Sequence, residues 1–147
     1  MQRRNFLKIA SGVALALLVN PIRALAALWN QSAFEAIKIN DAKANLGIVQ
    51  EMPSNDIDFL APDRAENGAI VQIEIISRIP NTEAISVLVE NNPTALIAHF
   101  VFSNGALPQL VTRIKMADTS DIKVIVKAGG AYFSATKNVV VLENGCG

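Results

Sequence analysis

The chain has 147 residues, about half of them apolar, with 13 basic and 13 acidic side chains but a single cysteine and a single histidine. That is enough for one domain with a substantial core, and too apolar for a disordered chain. One cysteine and one histidine exclude a four-ligand zinc site, and equally a blue-copper site built from two histidines and a cysteine. The neutral balance hides an asymmetry: residues 1–26 carry Arg3, Arg4, Lys8 and Arg23 and no acid, which leaves the remainder four charges negative. An acidic body has no footprint for nucleic acid or for an anionic membrane surface, so proteins and small molecules are the expected partners.

Met1-Gln2-Arg3-Arg4-Asn5-Phe6-Leu7-Lys8 is followed by an apolar run from Ile9 to Val19, broken only by Ser11 and Gly12. At 11 residues the run falls short of the roughly 20 that cross a bilayer as a helix, and it fits the apolar region of a signal peptide. Ala24-Leu25-Ala26 supplies small residues for cleavage after Ala26; an uncleaved N-terminal anchor is the alternative. The paired arginines with Phe-Leu-Lys resemble the bacterial twin-arginine export signal. That pathway moves folded cargo, so a periplasmic destination and a passenger subunit are expected.

Beyond residue 26, Ser32-Ala33-Phe34-Glu35 reads as a capping box that opens one helix over 32–46, with Phe34 and Ile37 on its apolar stripe and Gly47 as its stop. The period then changes to two. Ile57–Leu60 reads as a short strand and Asp63–Gly68 as a loop. Val71, Ile73 and Ile75 alternate with polar residues, and Ile85, Val87 and Val89 repeat the pattern after a turn at 80–83. Asn91–Thr94 is another turn. Leu96–Phe102 is continuously apolar, as in a strand buried on both faces, and Asn104-Gly105 turns the chain. Leu110, Thr112, Ile114 and Met116 share one face of a strand; Ile122, Val124 and Val126 share one face of the next. Gly129-Gly130 makes a two-residue hairpin into Tyr132–Ala135, and Val139–Leu142 closes the set. Seven or eight short strands with regular turns predict an all-β, immunoglobulin-like antiparallel β-sandwich. The expected organisation is a signal peptide over 1–26, the sandwich with one short helix over 27–142, and an arm over 143–147.

The chemistry narrows to that arm. His99 sits between Ala98 and Phe100 in an apolar strand, which suits a satisfied or edge histidine better than a catalyst. Carboxylates are scattered; Asp56 and Asp58 are neighbours beside a turn, where they serve solvation. There is no phosphate loop, nucleophile elbow or HExxH run, so an enzyme acting alone is not expected. Cys146 has no partner for an internal disulfide and lies one residue from the last, between Gly145 and Gly147. A free thiol is mostly protonated at neutral pH, a poor lone catalyst but adequate where another enzyme activates it. From Glu143 to Cys146 an extended chain spans on the order of 13 Å at about 3.3–3.6 Å per residue. Either the segment holds out a reactive sulfur, or the cysteine is incidental and the domain is a non-catalytic adaptor or assembly protein.

The export signal, the sandwich and Gly145-Cys146-Gly147 together resemble the thiosulfate-oxidation carrier subunits of the SoxY family. So do Asn92-Pro93, Ile97-Ala98-His99-Phe100, Val111-Thr112-Arg113-Ile114-Lys115-Met116-Ala117 and Ala135-Thr136-Lys137-Asn138-Val139. The resemblance implies sulfur intermediates held covalently on Cys146, with Gly145 and Gly147 as the supple flanks and no other cofactor or metal. It implies a heterodimer with a SoxZ-type subunit in the periplasm. A haem cytochrome would load the thiol, a manganese-dependent hydrolase would release sulfate, and a sulfane dehydrogenase would oxidise what remains. The family's usual ending is Gly-Gly-Cys-Gly-Gly; here Asn144 replaces the first glycine and the final one is missing.

Overall fold

The structure is a computed structural model, and it describes residues 30–143. The predicted signal peptide, 1–26, and all of the predicted arm, 143–147, except Glu143 fall outside that range. Among the described residues no helix is long and apolar enough to cross a membrane.

The expected single helix is two. Helix α1 spans Gln31–Glu35 and α2 spans Ile39–Asn45. Between them Ala36 is extended, and its carbonyl accepts a hydrogen bond from the Ala95 backbone N–H at 2.9 Å. Pairing with a distant loop therefore interrupts the helix. The cap is Asn30 rather than Ser32. The Asn30 Oδ1 accepts from the Ala33 N–H at 3.0 Å, whereas the Ser32 hydroxyl bonds the Asn30 side chain and Glu35 accepts from Gln31. Ile37, placed on the apolar stripe by the sequence, is 69% exposed because it falls in the break. Gly47 does end α2, with φ +74°.

Among the described residues nine strands follow: β1 Met52–Pro53, β2 Ile57–Leu60, β3 Arg64–Asn67, β4 Val71–Ser77, β5 Thr82–Val89, β6 Leu96–Val101, β7 Gln109–Ile114, β8 Ser120–Ala128 and β9 Ala131–Glu143. One sheet runs β1-β9-β8-β5-β6, with β3 also on β9; the other runs β2-β4-β7. The inner faces meet over Ile73, Ile75, Ile85, Val87, Ile122, Val124 and Met116. These are the period-two residues of the sequence, and the two-layer sandwich is the one they predict. Gly129 and Gly130 both have positive φ, +55° and +77°, as the tightest hairpin turn between β8 and β9 requires.

Three expectations need correction. Asp63–Gly68 is not wholly loop: Arg64–Asn67 pairs parallel with the end of β9. Its side chains are mostly polar and exposed, so no alternation announced it. Tyr132–Ala135 and Val139–Leu142 are one strand of 13 residues, flanked in parallel by β1 at one end and β3 at the other. Finally, β6 is an edge strand with His99 and Val101 exposed, not a strand covered on both faces. Double burial belongs to β5 and β8, where Leu88 and Ile125 lie beneath the helical layer with Ala33, Ala42 and Ile48.

Glu51 fastens that layer to the sheet. Its carboxylate is 2.6 Å from Lys43 Nζ on α2 and 2.8 Å from Lys123 Nζ on β8, with the side chain only 10% exposed. Burial by itself would raise the Glu51 carboxyl, but hydrogen bonds and charge from Lys123 and Lys43 outweigh it and hold the group below its ordinary value. A carboxyl lowered on folding stabilises the fold above its unfolded pKa of about 4.3, and the gain disappears as the pH falls through the lower folded value. Glu51→Gln is expected to cost about 2 kcal/mol near neutrality. Urea unfolding at pH 7 and pH 3 checks this, since the gap from the parent protein closes in acid.

Candidate functional site

The described part of the region that the sequence singles out is the root of the arm. Val139 and Val141 bury their side chains in the sandwich, which commits the alternate residues Val140 and Leu142 to the other face. Parallel pairing of β3 with β9 sets Ala65 beside Val141 and Asn67 beside Glu143. The Gly68 N–H donates to the Glu143 carbonyl at 2.9 Å, and the Met116 N–H donates to the Gly68 carbonyl at 2.7 Å. On the other flank the Val141 N–H donates to Thr119 Oγ1 at 2.9 Å. The chain is thus held on both sides as far as Val141, and on the β3 side as far as Glu143.

The loops around this root are tied to one another. The Asn92 side chain donates to the Lys115 carbonyl and accepts from the Ala117 N–H, at 2.8 and 2.7 Å. Asn91 donates from its backbone to Ser120 Oγ and from its side chain to the Thr119 carbonyl. Asn91–Thr94, legible in the sequence only as a turn, is a staple between β5 and the segment that supports the arm. Nothing in the sequence of an asparagine pair announces which carbonyl it will reach.

Of the predicted site residues, Cys146, Gly145 and Gly147 lie outside the described residues, immediately beyond this pinned root. His99 does not join them. It faces away from the sandwich core, with Nδ1 2.9 Å from the oxygen of the buried Ser86. With Lys127, Glu83, Tyr132 and Phe34 it borders a cavity of about 270 Å³ between the helical layer and the sheet. Burial, followed by the charge of Lys127, lowers the His99 pKa. A histidine depressed on folding contributes stability above its unfolded pKa of about 6.5, and that contribution is lost as the pH falls. Melting curves of His99→Gln are therefore expected to fall less than those of the parent between pH 7 and pH 5.

Asp58 is paired with Arg78, whose Nη2 also donates to the Asn55 carbonyl, so this acid secures a turn. Among the described residues no group of three or more His, Cys, Asp or Glu gathers to hold a metal.

Residues 42–146 match the family described as "Sulfur oxidation protein SoxY". The chain belongs to the SoxY family. The sulfur carrier protein SoxY from Chlorobium limicola f thiosulfatophilum has a solved structure with 32% identity and a TM-score of 0.64, over 71% of this chain and 96% of that one. A superoxide reductase (neelaredoxin) from Ignicoccus hospitalis superposes with a TM-score of 0.52 at 16% identity, over 59% of this chain and 80% of that one. That likeness shows the sandwich fold alone. No curated protein matches the chain. SoxY membership makes it a carrier in sulfur oxidation and not a catalyst. The SoxY match extends to residue 146 and so takes in the cysteine.

Proposed function

We propose that the chain carries sulfur intermediates covalently on Cys146 and presents them to partner enzymes of thiosulfate oxidation. The observation that carries this reading is the pinned root: the strand is fastened up to Glu143, and three residues later comes the only thiol of the sequence. A body so arranged delivers one sulfur at the end of a short leash. Oxidative loading joins the thiol to the outer sulfur of thiosulfate, forming Cys–S–S–SO₃⁻ and releasing a proton and two electrons, which a haem cytochrome accepts. Water then cleaves the terminal S–SO₃ bond in a manganese-dependent hydrolase, giving sulfate and a persulfide on Cys146. A sulfane dehydrogenase oxidises the persulfide sulfur. The metals belong to these partners.

Export through the twin-arginine pathway to the periplasm fits Arg3-Arg4-Asn5-Phe6-Leu7-Lys8, and a SoxZ-type subunit is the passenger. Among the described residues β6, Leu96–Val101, pairs on one side only, with β5; it contains no Lys, Asp, Glu or Pro, so its other side suits such a subunit. Intact-mass measurement of protein isolated from thiosulfate-grown cells tests the carrier reading. Added sulfur or thiosulfonate on Cys146 is expected. Only unmodified thiol would leave the adaptor reading in its place.

A further inference from the structure

The described chain begins at Asn30, and Asn30 lies on the wall of the cavity of about 270 Å³ between the helical layer and the sheet. Its place there is fixed. Its Oδ1 caps α1 by accepting from the Ala33 N–H at 3.0 Å, and its Nδ2 donates to the Asn45 carbonyl at 2.6 Å. The residue before it is Trp29, the only tryptophan of the sequence. Consecutive Cα atoms lie about 3.8 Å apart, so the Trp29 backbone starts at the edge of this cavity. With Asn30 as the cap, Trp29 holds the position before it and Phe34 the fourth position of the helix. An apolar pair at those two positions packs together and sets the angle at which the chain enters a helix. Phe34 lines the cavity, with Leu46, Ile48 and Val101 as further apolar wall. Val101 is 70% exposed at the edge of the sheet, and a ring seated here would cover it. A buried indole also needs an acceptor for its N–H. Ser86 and Glu83, both with side-chain oxygens, border the same cavity.

We propose that this cavity is the seat of the Trp29 side chain, which lies against Phe34, covers Val101 and latches the N-terminal segment to the sheet. The latch joins elements that meet only here: α1 through Phe34, the segment after α2 through Leu46 and Ile48, and β6 through Val101. Tyr132, near the start of β9, borders the cavity, whereas Glu143 ends that strand. The segment before Trp29 therefore departs from the end of the domain remote from the arm root. An export signal still attached there would leave the proposed sulfur site open to partner enzymes. The seat itself is independent of what Cys146 carries.

Because the chain has one tryptophan, its fluorescence reports the seat selectively in the full-length protein. Emission is expected at shorter wavelength than that of free tryptophan, with acrylamide quenching several-fold weaker than in the urea-unfolded chain. A second measurement reads the location. Val101→Cys is labelled with bimane in the Cys146→Ser background, at an exposed edge position where a label is tolerated. An indole in contact quenches bimane, so adding Trp29→Leu should raise the label's emission several-fold while the circular dichroism of the sheet is kept. Trp29 as open to acrylamide in the folded protein as in the unfolded one would overturn the latch and leave the cavity to a small molecule or a partner's side chain. A shielded Trp29 whose replacement leaves the bimane emission unchanged would place the indole elsewhere, and would equally overturn this seat.

Discussion

Cys146→Ser is expected to abolish covalent loading completely while leaving the fold as stable as before. A serine hydroxyl has nearly the size of the thiol, but no sulfur to form the S–S bond on which the intermediates hang. No mass gain should appear after exposure to thiosulfate with the cytochrome, or to tetrathionate alone. Position 146 lies three residues beyond Glu143, where β9 ends. Its replacement should therefore change unfolding free energy by less than about 0.5 kcal/mol. A variant that still gains sulfur would place the attachment elsewhere, and sulfur oxidation proceeding normally without the thiol would remove the carrier role.

The opposite separation is expected of Ile85→Ala. Ile85 is fully buried at the middle of β5, where it pairs with Phe100 on β6 and Val126 on β8, and its side chain fills the space between the sheets. Deleting its outer carbons leaves a cavity that two hydrogen-bonded neighbours cannot close, at a cost of about 3–4 kcal/mol. Set against a typical total of about 5–15 kcal/mol, that is a severe loss. Denaturant titration reads it as a lower midpoint at unchanged slope. Below that midpoint the variant should load Cys146 as fully as the parent. Together the two substitutions divide stability, which lives between the sheets, from the sulfur attachment proposed for Cys146.

The sequence displays the first of these more readily than the second. Alternation at Val71-Ile73-Ile75, Ile85-Val87-Val89 and Ile122-Val124-Val126 marks the inner face directly, since a strand buried on one side repeats every two residues. What covers the outer face is not written locally. Leu88 and Ile125 are buried because a helical segment from elsewhere lies on them, and Leu96–Val101 is apolar at an edge for which alternation offers no cue. The break in the helix has the same origin, a carbonyl at Ala36 claimed by Ala95 nearly sixty residues on. At the site, the lone cysteine between glycines is conspicuous in one dimension. Its support is not: Thr119, Gly68 and the Asn91–Asn92 staple act through backbone partners that only the folded register brings within reach.

The length of β9 has a last consequence. Thirteen residues at about 3.3 Å each separate its two ends by roughly 40 Å. The glycine hairpin and the His99 cavity belong to one pole, and Glu143, from which the proposed carrier arm would depart, to the other. A companion seated at the far pole would ride along through every handover without blocking it, so a standing assembly and a rotating cast of visitors are geometrically compatible on a domain this small.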